Sequence, residues 1–173
     1  TYGYLASAHY SAKNFDEAIK NRELQIAEIK RTGGQTSDVT YGYLASAHYS
    51  AKNFDEAIKN RELQIAEIKR TGGQTSDVTY GYLASAHYSA KNFDEAAKNF
   101  ELQIAEIIRT GGQPSDVTYG YLANAYYAAK KYVEAAKNFE LQIAEIKRKG
   151  GQPSDVNYGN LASAHYMAKK YDK

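Results

Sequence analysis

Apolar residues recur along this chain at helical spacing. Between residues 39 and 51, Tyr41, Leu44, Ala45, His48 and Ala51 fall on one face of a 3.6-residue helix, with Gly42, Tyr43, Ser46, Tyr49 and Ser50 on the other. Lys52-Asn53 interrupts that pattern as a short turn. A second stretch, Phe54 to Arg70, places Ala57, Ile58, Ile65 and Ile68 at helical spacing behind an entry Phe54. Its acids, Asp55 and Glu56, sit in the first turn and its bases, Lys69 and Arg70, in the last, as the helix macrodipole favours. Gly72-Gly73 then reads as a stop, because glycine accepts the left-handed conformation past a helix end. Gln74-Thr75-Ser76-Asp77 offers caps for the next helix. Pro114 and Pro153 stand at the Thr75 place in later copies, where a first helical turn accommodates proline. No alternating β-branched run argues for a strand. The pattern predicts a unit of helix A, tight turn, helix B and loop.

The unit returns every 39 residues. Residues 1–39 and 40–78 are identical, 79–117 carry four substitutions, 118–156 drift further, and 157–173 begin a fifth copy. One helical hairpin cannot bury its apolar faces alone, whereas a stack of them can. Residues 1–173 are therefore expected to form a single array.

Copy four reads Tyr119-x2-Leu122-Ala123-x2-Tyr126, then Ala135-x3-Phe139. This resembles the tetratricopeptide signature W-x2-L-G-x2-Y…A-x3-F, with Tyr for Trp and Ala for Gly. Copy three keeps Ala96-x3-Phe100 but has His87 at the tyrosine place, and copies one and two carry Arg22 and Arg61 where phenylalanine belongs. The period exceeds the usual 34 residues. Its extra length falls in helix B and the Gly-Gly-Gln-x-Ser-Asp connection, which resembles the longer repeats of kinesin light chains and of Pins/LGN scaffolds. The resemblance implies an all-α, right-handed α-solenoid of four hairpins plus a terminal helix A. It also implies an extended peptide held in a concave groove lined by helix A.

Composition narrows the function classes. Lys plus Arg is 22 against 20 Asp plus Glu, a net charge of +2, and no basic cluster marks a nucleic-acid footprint. No apolar run is long enough to span a bilayer. The absence of Cys removes disulfide and thiolate chemistry and fits a reducing, cytoplasmic compartment. A start at Thr1 and an end inside a repeat read as an excised or engineered segment. No nucleophile elbow, phosphate loop or carboxylate pair is present, so neither an enzyme nor a cofactor is expected.

The unusual residue is tyrosine, 17 of them against 5 Phe and no Trp. The helix A face turned away from helix B carries Tyr4, Ser7, Tyr10 and Ser11, then Tyr43, Ser46, Tyr49 and Ser50. It continues with Tyr82, Ser85, Tyr88 and Ser89, then Tyr121, Asn124, Tyr127 and Ala128. Tyrosine supplies contact area at low entropy cost and serine supplies adaptable hydrogen bonds. This nearly uncharged ladder is the candidate peptide site, and its binding is expected to depend weakly on salt. The alternative for Tyr10, Tyr49 and Tyr88 is packing between adjacent A helices. A carboxylate clamp would need Lys and Asn on this face, where only Asn124 and Asn160 occur.

His9, His48, His87 and His165 have no ligand-type residue at helical spacing, and copy four replaces the histidine with Tyr126. They are expected to be packed, with the polar tip satisfied, and to bind no metal. Gly3, Gly42, Gly81, Gly120 and Gly159 sit inside helix A at a cost of about 1 kcal/mol each against alanine, which points to close approach of a neighbouring helix or a bound chain. Helix B shows a coupled change: Ile19/Arg22 and Ile58/Arg61 become Ala97/Phe100 and Ala136/Phe139, a candidate volume compensation; its alternative is a basic patch on copies one and two. Uncovered Tyr158, Leu161, Ala162 and His165 at one end support a second role, an array that associates end to end. A third is an interaction module of a larger enzyme or signalling protein.

Overall fold

The computed structural model describes residues 1–171. Every regular element among them is an α-helix. The A helices are α1 (Tyr2–Ser11), α3 (Asp38–Ser50), α5 (Asp77–Ser89), α7 (Asp116–Ala128) and α9 (Asp155–Tyr171). The B helices are α2 (Phe15–Arg31), α4 (Phe54–Arg70), α6 (Phe93–Arg109) and α8 (Tyr132–Arg148). The helices form hairpins in series. Two compact units result, one ending at Thr75 with α1–α4 and one starting at Ser76 with α5–α9. Within each unit, consecutive helices pack on one another.

The helix boundaries follow from local chemistry. Ser37 caps α3: its hydroxyl oxygen accepts the Thr40 N–H at 3.3 Å and shares a 3.0 Å hydrogen bond with the Thr40 hydroxyl. Ser76 and Ser115 cap α5 and α7 in the same way. Proline is therefore not inside the first turn as expected. Pro114 precedes the cap, in a buried niche that Thr36 and Thr75 fill in the identical copies, each 2% exposed. The Thr36 and Thr75 hydroxyl oxygens have no hydrogen-bond partner there. A buried hydroxyl without a partner is costly, and proline also restricts the unfolded chain. Thr36→Pro should accordingly stabilise the chain by about 1 kcal/mol, read as a raised urea midpoint; a lowered midpoint would count against it.

Both turns of the hairpin close with the same hydrogen-bond pair. After α3 the Lys52 N–H donates to the Tyr49 carbonyl and the Asn53 N–H to the His48 carbonyl; after α4 Gly72 and Gly73 do the same to Lys69 and Ile68. Both residues just past the helix are left-handed, Gly72 at φ +76° and Lys52 at φ +63°. Glycine takes that conformation freely and lysine does not, so the A–B turn is held by its hydrogen bonds and by the packing of the two helices.

The core is thin and rich in alanine. In the first unit Ala18, Ile19, Leu44 and Ala47 cluster; in the second, Phe100 and Phe139 each sit among alanines. Gly42 is buried, not on the outer face assigned to it by the helical wheel. An added Cβ would lie 2.8 Å from the Gln64 amide nitrogen, and at Gly120 2.5 Å from that of Gln142. The close approach is thus that of the B helix in the same hairpin. At Gly159 a Cβ would meet nothing within 4 Å, since among the described residues no B helix follows α9. Tyr158, Ala162 and His165 are exposed on α9, but Leu161 is half-buried against the Phe139 cluster, contrary to the expectation that it is left open.

Candidate functional site

The tyrosines expected to face a partner divide into two rows with different surroundings. Tyr43, Tyr82 and Tyr121 are 56%, 56% and 54% exposed, and Tyr4 is 81% exposed. The other row is anchored. Tyr10, Tyr49 and Tyr88 meet Phe15, Phe54 and Phe93 edge-on at ring separations of 5.5, 5.5 and 5.3 Å, and Tyr127 meets Tyr132 at 5.3 Å. Each contact ties the end of an A helix to the entry of its own B helix. The Tyr10 hydroxyl also shares a 3.2 Å hydrogen bond with Ser50 of the next A helix. Packing between A helices and partial exposure therefore coexist at Tyr10.

The serines are less adaptable than their residue type suggests. Ser7, Ser46 and Ser85 each donate to a carbonyl one turn back, Gly3, Gly42 and Gly81, at 3.1, 3.0 and 2.9 Å. Ser7 and Ser46 also accept from the guanidinium groups of Arg22 at 3.2 Å and Arg61 at 3.1 Å. Asn124 is exposed.

These two arginines were not among the residues expected at the site. They form no surface patch, since Arg22 and Arg61 are both 7% exposed. Arg22 extends beneath Tyr43 with its guanidinium carbon 4.9 Å from the ring centroid and donates to the Gln25 side-chain carbonyl at 2.8 Å. Burial pulls the Arg22 guanidinium below its usual range, partly offset by Tyr43. In the second unit Phe100 takes the same place and stacks on Tyr121 at 5.7 Å and 17°. The helix B exchange is thus one flat group for another under the exposed tyrosine of the next repeat. In the first unit, Ser7, Tyr10, Arg22, Tyr43 and Ser46 border one concavity of about 310 Å³.

Two A helices of the second unit direct the residue at the histidine place toward a glutamate of the preceding B helix. His165 Nε2 lies 3.4 Å from Glu140, and Tyr126 at the same place in copy four donates to Glu101. Burial and the Glu101 carboxylate push the Tyr126 phenol well above its ordinary range. His48 is buried, but its Nδ1 has no hydrogen-bond partner, so the expectation of a satisfied tip fails there. Burial lowers the His48 pKa; Glu23 and Glu56 oppose that shift and Lys59 adds to it. Among the described residues no three His, Cys, Asp or Glu side chains are grouped to hold a metal.

A lowered folded-state pKa means that the unfolded chain takes up the proton more readily. The stability due to neutral His48 is complete above its unfolded pKa of about 6.5 and is lost as pH falls through the folded value. Glu67 and Glu145, held below the ordinary carboxylate range mainly by Arg70 and Arg148, lose their contribution only below about pH 4.5. The urea midpoint should therefore decline between pH 7 and 5, and His48→Tyr should flatten that decline; an unchanged slope would remove His48 as its source.

No family model matches the chain, and no curated protein matches it in sequence. Solved structures do match in fold. The nearly identical TPR-like repeats of a kinesin light chain candidate from Podosopora anserina share 20% identity, over 99% of this chain and 87% of that one, with a TM-score of 0.71. BtubC (BKLC) from P. vanneervenii shares 18%, over 97% and 72%, with a TM-score of 0.72. The Sgt2 TPR domain from Aspergillus fumigatus shares 15%, over 78% and 81%, with a TM-score of 0.57. Helical hairpins in series, a 39-residue period and these likenesses identify the chain as a repeat protein with the tetratricopeptide-like fold.

Proposed function

We propose that the chain is a noncatalytic interaction scaffold that holds an extended peptide segment against the tyrosine-bearing faces of its A helices. The observation that carries this reading is the row Tyr4, Tyr43, Tyr82 and Tyr121, which places a large amphipathic ring at the surface at the same point of every complete repeat. Exposed aromatic rings are costly to leave in water and are characteristic anchors of recognition surfaces. Tyr10, Tyr49, Tyr88 and Tyr127, with Ser7, Ser46, Ser85 and Asn124, act in this reading mainly as the frame between those anchors.

Randomised octapeptides selected on the folded chain test the proposal. Enriched sequences should bind at least about tenfold more weakly when Tyr43, Tyr82 and Tyr121 are all changed to Ala, since anchor residues each contribute more than about 1 kcal/mol. Unchanged affinity would place the binding surface elsewhere.

A second reading, end-to-end association of copies, draws on Leu5. It is 50% exposed on α1, whereas Leu44 at the same place in the next copy is 4% exposed. Light scattering over a concentration series separates the two: growth of mass with concentration supports association, and a strict monomer excludes it.

A further inference from the structure

The Arg22 guanidinium is a buried charge with no acidic partner among the described residues. Its hydrogen bonds run to Gln25 and Ser7, both neutral, and Tyr43 covers one face. The ion pairs of α2 join Lys20 to Glu17 and Arg31 to Glu28, leaving Arg22 out. A guanidinium carries five N–H donors, more than these two contacts use. Removing a cation from water without a counter-charge is costly, and an anion that completes the pair offsets part of that cost.

The space for that anion is present. Arg22 borders the concavity of about 310 Å³ in the first unit, and no other charged side chain lines it. The fold does not require a cation there, because Phe100 fills the same place in the second unit with a neutral ring stacked on Tyr121. Arginine at residue 22 therefore adds a charge that the packing alone does not need.

We propose that this concavity is a carboxylate subsite: it takes an Asp or Glu side chain of the bound segment, with Arg22 as its charge partner. One guanidinium with no second cation matches a single negative charge, and its planar fork fits the two carboxylate oxygens. This departs from the nearly uncharged surface expected from the helix A residues alone. It rests on the scaffold reading but is tested apart from it.

Octapeptide selection on the wild-type chain should enrich Asp or Glu at one position, and replacing that acid by Asn or Gln should weaken binding about tenfold, as for loss of a charge-assisted hydrogen bond. The preference should vanish in the double variant Ile19→Ala, Arg22→Phe, which reproduces the packing of copy three and is checked for helicity by circular dichroism. Enriched sequences without an acidic preference, or a preference that survives in the double variant, overturn the subsite and leave the scaffold standing. If no octapeptide is enriched the scaffold reading fails, and titration with sodium acetate decides the subsite alone. A saturable shift of the Arg22 Nε–H resonance, absent in the double variant, supports it; no shift in the wild-type chain overturns it.

Discussion

Phe139→Ala should destabilise the second unit by about 3–5 kcal/mol, the range for truncating a buried aromatic. Phe139 is 2% exposed and lies among Ala123, Ala135, Ala136 and Ala164. Truncation leaves a space whose buried walls are alanine methyl groups, with Tyr126, Tyr127 and Leu161 packed at its edge. The alanines have no side chain to swing inward, so collapse of the cavity rests on movement of those three edge side chains or of the helices, and the loss within that range measures how far they move. Phe139→Leu, which keeps most of the volume, should cost less than half as much. Urea denaturation followed by helicity, with hydrogen exchange at α8 and α9, measures both variants. A loss below about 1 kcal/mol for Phe139→Ala would show that the helices close the gap by shifting.

Leu44→Ala should cost about 2–5 kcal/mol and Leu5→Ala about 1 kcal/mol or less. The two leucines occupy the same place in identical 39-residue copies, yet Leu44 is 4% exposed and Leu5 50%. Leu44 packs with Ala18 and Ile19 of α2, whereas among the described residues no B helix packs on α1 from that side. The difference between the variants therefore isolates what a preceding B helix contributes, with the local sequence held constant. Equal losses would mean that Leu44 is held mainly by its own hairpin.

The helices were legible in the sequence because their signals are local. Phe54 at the entry and the paired glycines after Arg70 bracket α4 at Phe54–Arg70, and the serine cap marks the start of α3. Proline was displaced from its expected turn because a residue just before the cap can also lack an N–H without loss. The helical wheel places Gly42 on the wrong face because glycine carries no hydropathy signal and its partner, Gln64, is polar. Much of the candidate surface was legible too: Tyr4, Tyr43, Tyr82 and Tyr121 are exposed as read. The place of Arg22 is not legible in its own helix, because charge suggests solvent while its burial depends on Tyr43 from the next repeat. The clue was present in the exchange of Arg22 and Arg61 for Phe100 and Phe139. A place that accepts either guanidinium or phenyl is a flat slot, and a flat slot lies under something.

The repeated joints have a consequence for length. Arg22 with Ser7 and Gln25 recurs as Arg61 with Ser46 and Gln64, and the turn after each B helix closes by the same hydrogen bonds. Excising residues 40–78 would join Val39 to Thr79, the same pair of residue types that Val78 and Thr79 already form. A duplication would add the identical joint once more. Copy number is thus a quantity that recombination can change in whole units without creating a foreign junction, and stability should follow it in even steps.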